Sequence, residues 1–467
     1  MTTFDTAFHD TKRVVSSWTN ISKFQAITIV RDVKGQISLY LEPTSGQTLT
    51  KADVDTLTID LRSILATSLD PLFSGQIYIK TEAEEWLKDL FVLICSLRIA
   101  DAANATPLHW FTIDRGIAKK AWINQGQHEN PVWDYNDTQL PEAPAPGVVT
   151  FYSYKGGMGR TTALVATALE LIRQGKNVLM IDTDLEAPEL STFFFAEDDP
   201  IGAIEKGTVD YLLEKHIDSS VSPDMTKYIV SLTSPNYCPE GAGNLYLVCS
   251  GKLDDAFLPK LARIDSQELI EGRLKKNLDQ LLIDCRSVLE RNGGVDYILI
   301  DSRAGFHDMA GVVTAQIPHG VVLFGKDSFQ SWYGIRQAVH TISESQADKP
   351  AIMLVDSGCG KDEIVSAEEK ESFLSHSYTI FTDCYYSSGE EQPSLYAENE
   401  AHSPIYVPYS SLLAGDIPLY DTNRAEILQA KLAEPPYKAI AQRLIGWFGN
   451  RPGEEGGVSD HGQERTS

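Results

Sequence analysis

Two cations, a hydroxyl and three glycines fall together at residues 155–161, Lys155-Gly156-Gly157-Met158-Gly159-Arg160-Thr161, with Thr162 next. These residue types suit a phosphate. Glycines let backbone N–H groups turn inward toward an anion, and a helix beginning at the loop's end adds partial positive charge. Three carboxylates lie further along, Asp182 and Asp184 in Asp182-Thr183-Asp184-Leu185-Glu186-Ala187-Pro188, and Asp301 in Asp301-Ser302-Arg303-Ala304-Gly305. A phosphate cradle facing such carboxylates is what a magnesium-nucleotide site requires, so the expected chemistry is phosphoryl transfer.

Those residues need elements to hold them. Val148 to Tyr152 is an apolar, β-branched and aromatic run of strand type ahead of the glycines. Thr161 to Gln174 has helical character and ends at Gly175, where a left-handed residue costs least. Asn177 to Ile181 is a second strand that delivers Asp182, and Val295 to Asp301 is a buried strand closing on its carboxylate. Further strands are expected at Tyr228–Leu232, Leu245–Cys249, Val321–Gly325, Ala351–Val355 and Pro404–Val407. Helices are expected at about Ser266–Arg291, Phe329–Ser343 and Tyr437–Phe448. Strands alternating with helices imply a parallel sheet covered on both faces, which binds ligands outside the carboxyl ends of its strands. The loop and all three aspartates come at such ends.

The usual spacing G-x-x-x-x-G-K-[ST] is not met, because arginine stands at the lysine position and a second cation, Lys155, opens the loop. This resembles the deviant Walker A box, K-G-G-x-G-K-[ST], of the MinD/ParA class of P-loop ATPases, in a K-G-G-x-G-R-[ST] variant. The resemblance covers about residues 148–448. It implies a doubly wound, mostly parallel α/β P-loop domain that takes ATP and Mg²⁺ as cofactors and forms a homodimer across ATP. It also implies a role for each matching residue. Gly156, Gly157, Met158, Gly159, Arg160, Thr161 and Thr162 would cradle the phosphates, and Lys155 would reach the partner's nucleotide. Thr161 and Asp301 would hold Mg²⁺, with Asp182 supporting the ion from behind and Asp184 orienting the attacking water. Asp301 to Gly305 is similar to the family's D-x-P-A-G switch with Arg303 in place of proline, so Gly305 would offer its N–H to the γ-phosphate. Pro408 and Tyr409 are candidates to flank the base, and equally for simple packing.

Arg160 is the departure that bears on catalysis. A guanidinium is a planar fork where an ammonium is a compact point charge. The expected function is therefore a slowly hydrolysing ATP switch that controls an unknown protein partner. The alternative is a nucleotide-locked scaffold without turnover. A bacterial tyrosine kinase of the same fold is disfavoured, since residues 449–467 contain no tyrosine.

Composition sets outer limits. The 467 residues suffice for more than one domain, with 42% hydrophobic and 22% charged residues typical of a globular protein. The formal net charge of −25 counts against DNA as the main partner, because phosphate neutralisation by Lys and Arg supplies most non-specific affinity. No apolar run is long enough for a membrane span. Ile440, Leu444, Ile445, Trp447 and Phe448 are read as a core-packing last helix in preference to a membrane anchor. Six scattered cysteines without a CxxC pair, and an N-terminus without a leader pattern, point to a cytoplasmic protein. Residues 1–130 are expected to form a small α+β accessory domain of unknown role, with His109 and Trp110 as packing residues. A proline-rich linker is expected at 131–147, and a disordered tail at 449–467.

Overall fold

The computed structural model describes residues 2–47, 51–65, 72–81, 84–101, 108–115, 120–123, 146–196, 204–271, 273–345, 349–359, 363–386 and 392–448. The chain divides into two units, Met1–Ile117 and Ala118–Ser467. The division thus comes before the expected boundary at 130. Most of the expected linker and all of the expected tail lie outside the described residues.

The first unit contains α1 (Ala7–Ser16), β1 (Phe24–Arg31), β2 (Ile37–Pro43), α2 (Lys51–Leu65), β3 (Phe73–Ile79), α3 (Glu85–Leu97), β4 (Ile99–Ala100) and β5 (His109–Asp114). β1 and β2 form a hairpin, running antiparallel. Asp32 closes its turn by accepting the Lys34 and Gln36 amides at 2.9 and 2.8 Å, and Gly35 takes φ +85°. The sheet order is β3-β2-β1-β5-β4, with β5 parallel to β1. Trp110 is buried in the core with Phe24, Ile27 and Leu39, while His109 is exposed. This is an α+β unit.

The second unit opens with α4 (Lys120–Ile123). It continues as β6 (Gly147–Ser153), α5 (Arg160–Arg173), β7 (Val178–Asp182), α6 (Thr208–Ile217), β8 (Ile229–Ser231), β9 (Leu245–Val248), α7 (Phe257–Glu271) and α8 (Arg273–Leu289). Next come β10 (Tyr297–Asp301), α9 (Asp308–Gly311), β11 (Gly320–Gly325), α10 (Phe329–Ser345), β12 (Ala351–Cys359), α11 (Glu363–Cys384), β13 (Ile405–Pro408), α12 (Ala425–Leu432) and α13 (Pro435–Phe448). Its eight strands run in the order β13-β12-β11-β6-β10-β7-β9-β8. All pair in parallel except edge strand β8, which is antiparallel to β9. The chain builds outward from β6 through β7, then returns to lay down β10 beside β6 and β11 on the other side. That reversal opens a crevice at the carboxyl end of β6.

Why these elements form is visible in their burial. Every residue of β6, β7 and β10 is buried, so the apolar runs are central strands covered on both faces. Helix α5 is buried nearly all round, lying in the cluster that also holds Ile440, Ala441, Leu444 and Phe448 of α13. The apolar face of the last helix is therefore core. Two expectations change. The single helix expected at Ser266–Arg291 begins at Phe257 and comes as α7 and α8, with the helix-weakening Gly272 in the sequence between them. The 22-residue α11 was not expected, because its buried Phe373, Ile380 and Phe381 are too sparse to show a helical period.

Candidate functional site

The loop leaving β6 bends through two left-handed glycines, Gly157 at φ +72° and Gly159 at φ +69°. A Cβ built on Gly156, Gly157 or Gly159 would meet no atom within 4 Å. Glycine is needed here for backbone conformation and open space, and not to relieve packing. The loop is tied at both flanks. Ser153 Oγ donates to Lys155 O at 2.8 Å, and Ser357 Oγ on β12 donates to Met158 O at 2.6 Å. Lys155 is exposed, and no described residue pairs with its ammonium.

Behind the loop, parallel register sets Asp301 beside Asp182 at the ends of β10 and β7. Thr161, in the first turn of α5, donates its hydroxyl to Asp301 Oδ2 at 2.7 Å. Arg160 turns inward. Its Nη2 lies 2.9 Å from Asp184 Oδ2, its Nε 3.3 Å from Asp301 Oδ1, and its Nη1 3.4 Å from Ser153 Oγ. Asp184 also accepts the Ala187 amide at 3.3 Å. Asp182 is fully buried. Its Oδ1 takes the Asp184 amide at 3.0 Å, and its Oδ2 has no hydrogen-bond partner.

Burial dominates the electrostatics. It pushes the Asp301 carboxyl up to about 6, with Asp184 and Glu189 adding to the rise and Arg160 and Thr161 opposing it. Asp182 is raised well above the usual carboxylate range by burial, then by Asp301 and Asp184. One guanidinium thus faces a cluster of crowded carboxylates. Such a site favours added positive charge.

The loop after β10 is held in turn. Gly305, at φ +79°, donates its amide to Ser153 O at 3.1 Å. Arg303 pairs with Glu186 from the loop after β7, and His307 Nε2 lies 3.3 Å from the same carboxylate. The expected residues Lys155 to Thr162, Asp182, Asp184, Asp301 and Gly305 therefore converge at one end of the sheet. Pro408 closes edge strand β13 and registers with Cys359 of β12, one position past the Val407–Ser357 pair, and Tyr409 is exposed.

Sequence reasoning missed Ser153, Ser357, Glu186, His307 and Glu189. The Glu189 carboxyl is raised by burial against the pull of Arg160, although its exposed surface lets water temper the effect. Glu186 lies within the acidic stretch Asp182–Pro188 and Glu189 directly follows it, and that nearness was the available signal. The two serines become partners only through strand register.

The residues present fit a nucleotide with Mg²⁺. The glycine cradle is open, a threonine hydroxyl sits on a carboxylate, and a buried carboxylate oxygen is left without a partner. Among the described residues no group of three or more His, Cys, Asp or Glu is placed to ligate a metal unaided.

Residues 147–350 match a family model described as "AAA domain". A curated relative, the cytosolic Fe-S cluster assembly factor CFD1 of Candida albicans, is 26% identical over 137 residues, or 29% of this chain and 45% of that protein. The chain thus spans about half the length of the curated relative it matches. Among solved structures, pNOB8 ParA bound to nonspecific DNA is 15% identical, with 64% of this chain and 98% of that one covered at a TM-score of 0.43. MinD cell division protein from Aquifex aeolicus is 20% identical, with 65% and 98% covered at 0.39. The Cyanothece McdA complex with ATP is 14% identical, with 64% and 96% covered at 0.37.

Proposed function

We propose that the protein is an ATP-dependent switch, and that residues 147–350, which match a model described as "AAA domain", form a P-loop ATPase domain of the MinD/ParA type that the glycine loop resembles. It binds Mg·ATP, dimerises around it, hydrolyses it slowly and thereby controls a protein partner. The observation that carries this reading is Arg160 held between Asp184 and Asp301 beside an open glycine cradle.

In this reading the amides of Gly156 to Thr162 and the start of α5 receive the phosphates, while Thr161 and Asp301 hold the metal with Asp182 behind them. The bound metal supplies positive charge to the phosphate oxygens. Arg160 would exchange its carboxylates for the anion, because bound phosphate competes for the guanidinium while the metal competes for Asp301. That exchange frees Asp184 to orient water, and the need to break two ion pairs first makes turnover slow. Gly305 likewise gives up Ser153 O to offer its amide to the γ-phosphate. Lys155, exposed and without a described partner, reaches across to a second copy's nucleotide.

The same ion pair favours a second reading. If Arg160 never releases Asp184, nucleotide would act as structural glue in a locked scaffold. Phosphate release measured beside solution mass, on wild type and Asp184→Ala, separates the two. Turnover lost in Asp184→Ala, with ATP binding and the dimer retained, supports the switch. A wild-type dimer without turnover supports the scaffold, and absence of ATP binding overturns both.

A cytoplasmic location belongs to this proposal and accords with six free cysteines. No helix among the described residues is long and apolar enough to cross a membrane. The acidic balance alone does not justify setting DNA aside, since a solved ParA is itself described as bound to nonspecific DNA.

A further inference from the structure

Tyr154 stands between the end of β6 and Lys155, half-buried, with its ring against the backbone of α10 at Gly334. A Cβ built on Gly334 would collide with Cβ, Cγ and Cδ1 of Tyr154. A helix interior is otherwise a poor place for glycine, so this one makes room for the ring. Phe306, the residue after Gly305, packs on the same ring with centres 4.8 Å apart, and Tyr333 of α10 meets it edge-on at 6.2 Å. Phe306 is backed in turn by Trp122 of α4, edge-on at 5.0 Å, whose Nε1–H donates to His307 O at 2.7 Å. Helix α10 and the loop after β10 thus fix the direction in which the chain leaves β6.

Lys155 follows directly. Its carbonyl accepts from Ser153 Oγ at 2.8 Å, and its side chain is exposed. The glycine cradle beyond it has an anchor of its own, Ser357 Oγ of β12 on Met158 O. The start of the loop and the cradle are therefore held by different parts of the fold.

We propose that Tyr154 is a positioning residue that sets where Lys155 stands toward a second copy of this chain, with Gly334 and Phe306 as the surfaces that hold its ring. This inference rests on the dimer reading above, in which Lys155 reaches the second copy's nucleotide. A lysine side chain is long and rich in rotamers, and a fixed backbone at its root lessens what must be ordered when it pairs. The ring supplies that fixed root from the same loop after β10 that carries Gly305.

The test uses the full chain and three variants. Gly334→Ala puts a methyl where the ring lies, although alanine itself suits the helix better. Phe306→Leu removes one aromatic contact without adding bulk, and Tyr154→Phe is the conservative control that keeps the ring. Two quantities are read. One is the protein concentration at which dimers form in saturating Mg·ATP, by sedimentation velocity. The other is the affinity of protein too dilute to dimerise for a fluorescent ATP analogue with Mg²⁺. Gly334→Ala and Phe306→Leu are each expected to raise the dimerisation midpoint about 5-fold, the size of effect that losing one aromatic pairing can have, with affinity held within about 2-fold. Tyr154→Phe should match the wild type in both. A midpoint that does not move in Gly334→Ala and Phe306→Leu overturns the proposal. A parallel fall in the affinity of dilute protein also overturns it, because the ring would then support the cradle and not Lys155. A wild type that binds the analogue but never dimerises, or binds nothing, refutes the reading on which the inference rests, and the inference falls with it.

Discussion

Arg160 holds the charges of the candidate site together. Its side chain is 11% exposed and compensates two carboxylates. Removing one member of a buried ion pair leaves uncompensated charge, so Arg160→Ala should destabilise the nucleotide-free chain by about 3 kcal/mol. Thermal unfolding at neutral pH measures this, and an unchanged melting temperature would contradict the buried pairing. Arg160→Lys should raise kcat several-fold, since an ammonium cannot span Asp184 and Asp301 as the fork does. Asp301 gives a pH signature. Its folded value, about 6, lies above the unfolded carboxylate value of about 4, so the folded state holds the proton more tightly. Its contribution to stability is present below pH 4 and is lost as pH rises through 6. Mg·ATP binding should run the other way, strengthening as Asp301 ionises through pH 6. Asp301→Asn should flatten both profiles, read from melting and titration between pH 5 and 8.

At the scale of elements, the loop after β6 works through backbone shape. Gly159 has φ +69° and open space around its missing side chain, so Gly159→Ala would pay in conformation alone, roughly 1–2 kcal/mol. If the loop serves nucleotide, Mg·ATP affinity should fall by well over 10-fold while the melting temperature drops only a few degrees. Equal affinity in the variant would show that the left-handed turn is not needed for binding. Strand β12 braces the same loop through Ser357, whose hydroxyl meets Met158 O at 2.6 Å. The site is thus supported from β12 as well as from the three strands that carry its charges, and that bracing is a product of sheet order.

For the whole molecule, the proposed dimer depends on Lys155. Lys155 is exposed at the start of the loop and has no described partner. Lys155→Ala should abolish ATP-dependent dimerisation while leaving the melting temperature of the nucleotide-free chain within about 1 °C, because exposed charges contribute little to stability. Light scattering with and without Mg·ATP decides it. Dimers unchanged in the variant would remove Lys155 from the interface.

The strand runs, the glycine loop and the three strand-end aspartates were legible along the chain, because burial writes itself as apolar periodicity and a left-handed turn writes itself as glycine. The order of β10 and β11 on either side of β6 was not legible, since no local pattern records which strand lies beside which. The same holds for Trp122. Its neighbours in sequence are polar or outside any clear period, and its partner His307 is a carbonyl 185 residues away. Arg160 shows the division most plainly. Residue type marked Arg160 as a candidate phosphate cation, but only the folded chain brought Asp184 and Asp301 within its reach, because the order of β6, β10 and β7 in the sheet sets which buried charges surround a side chain.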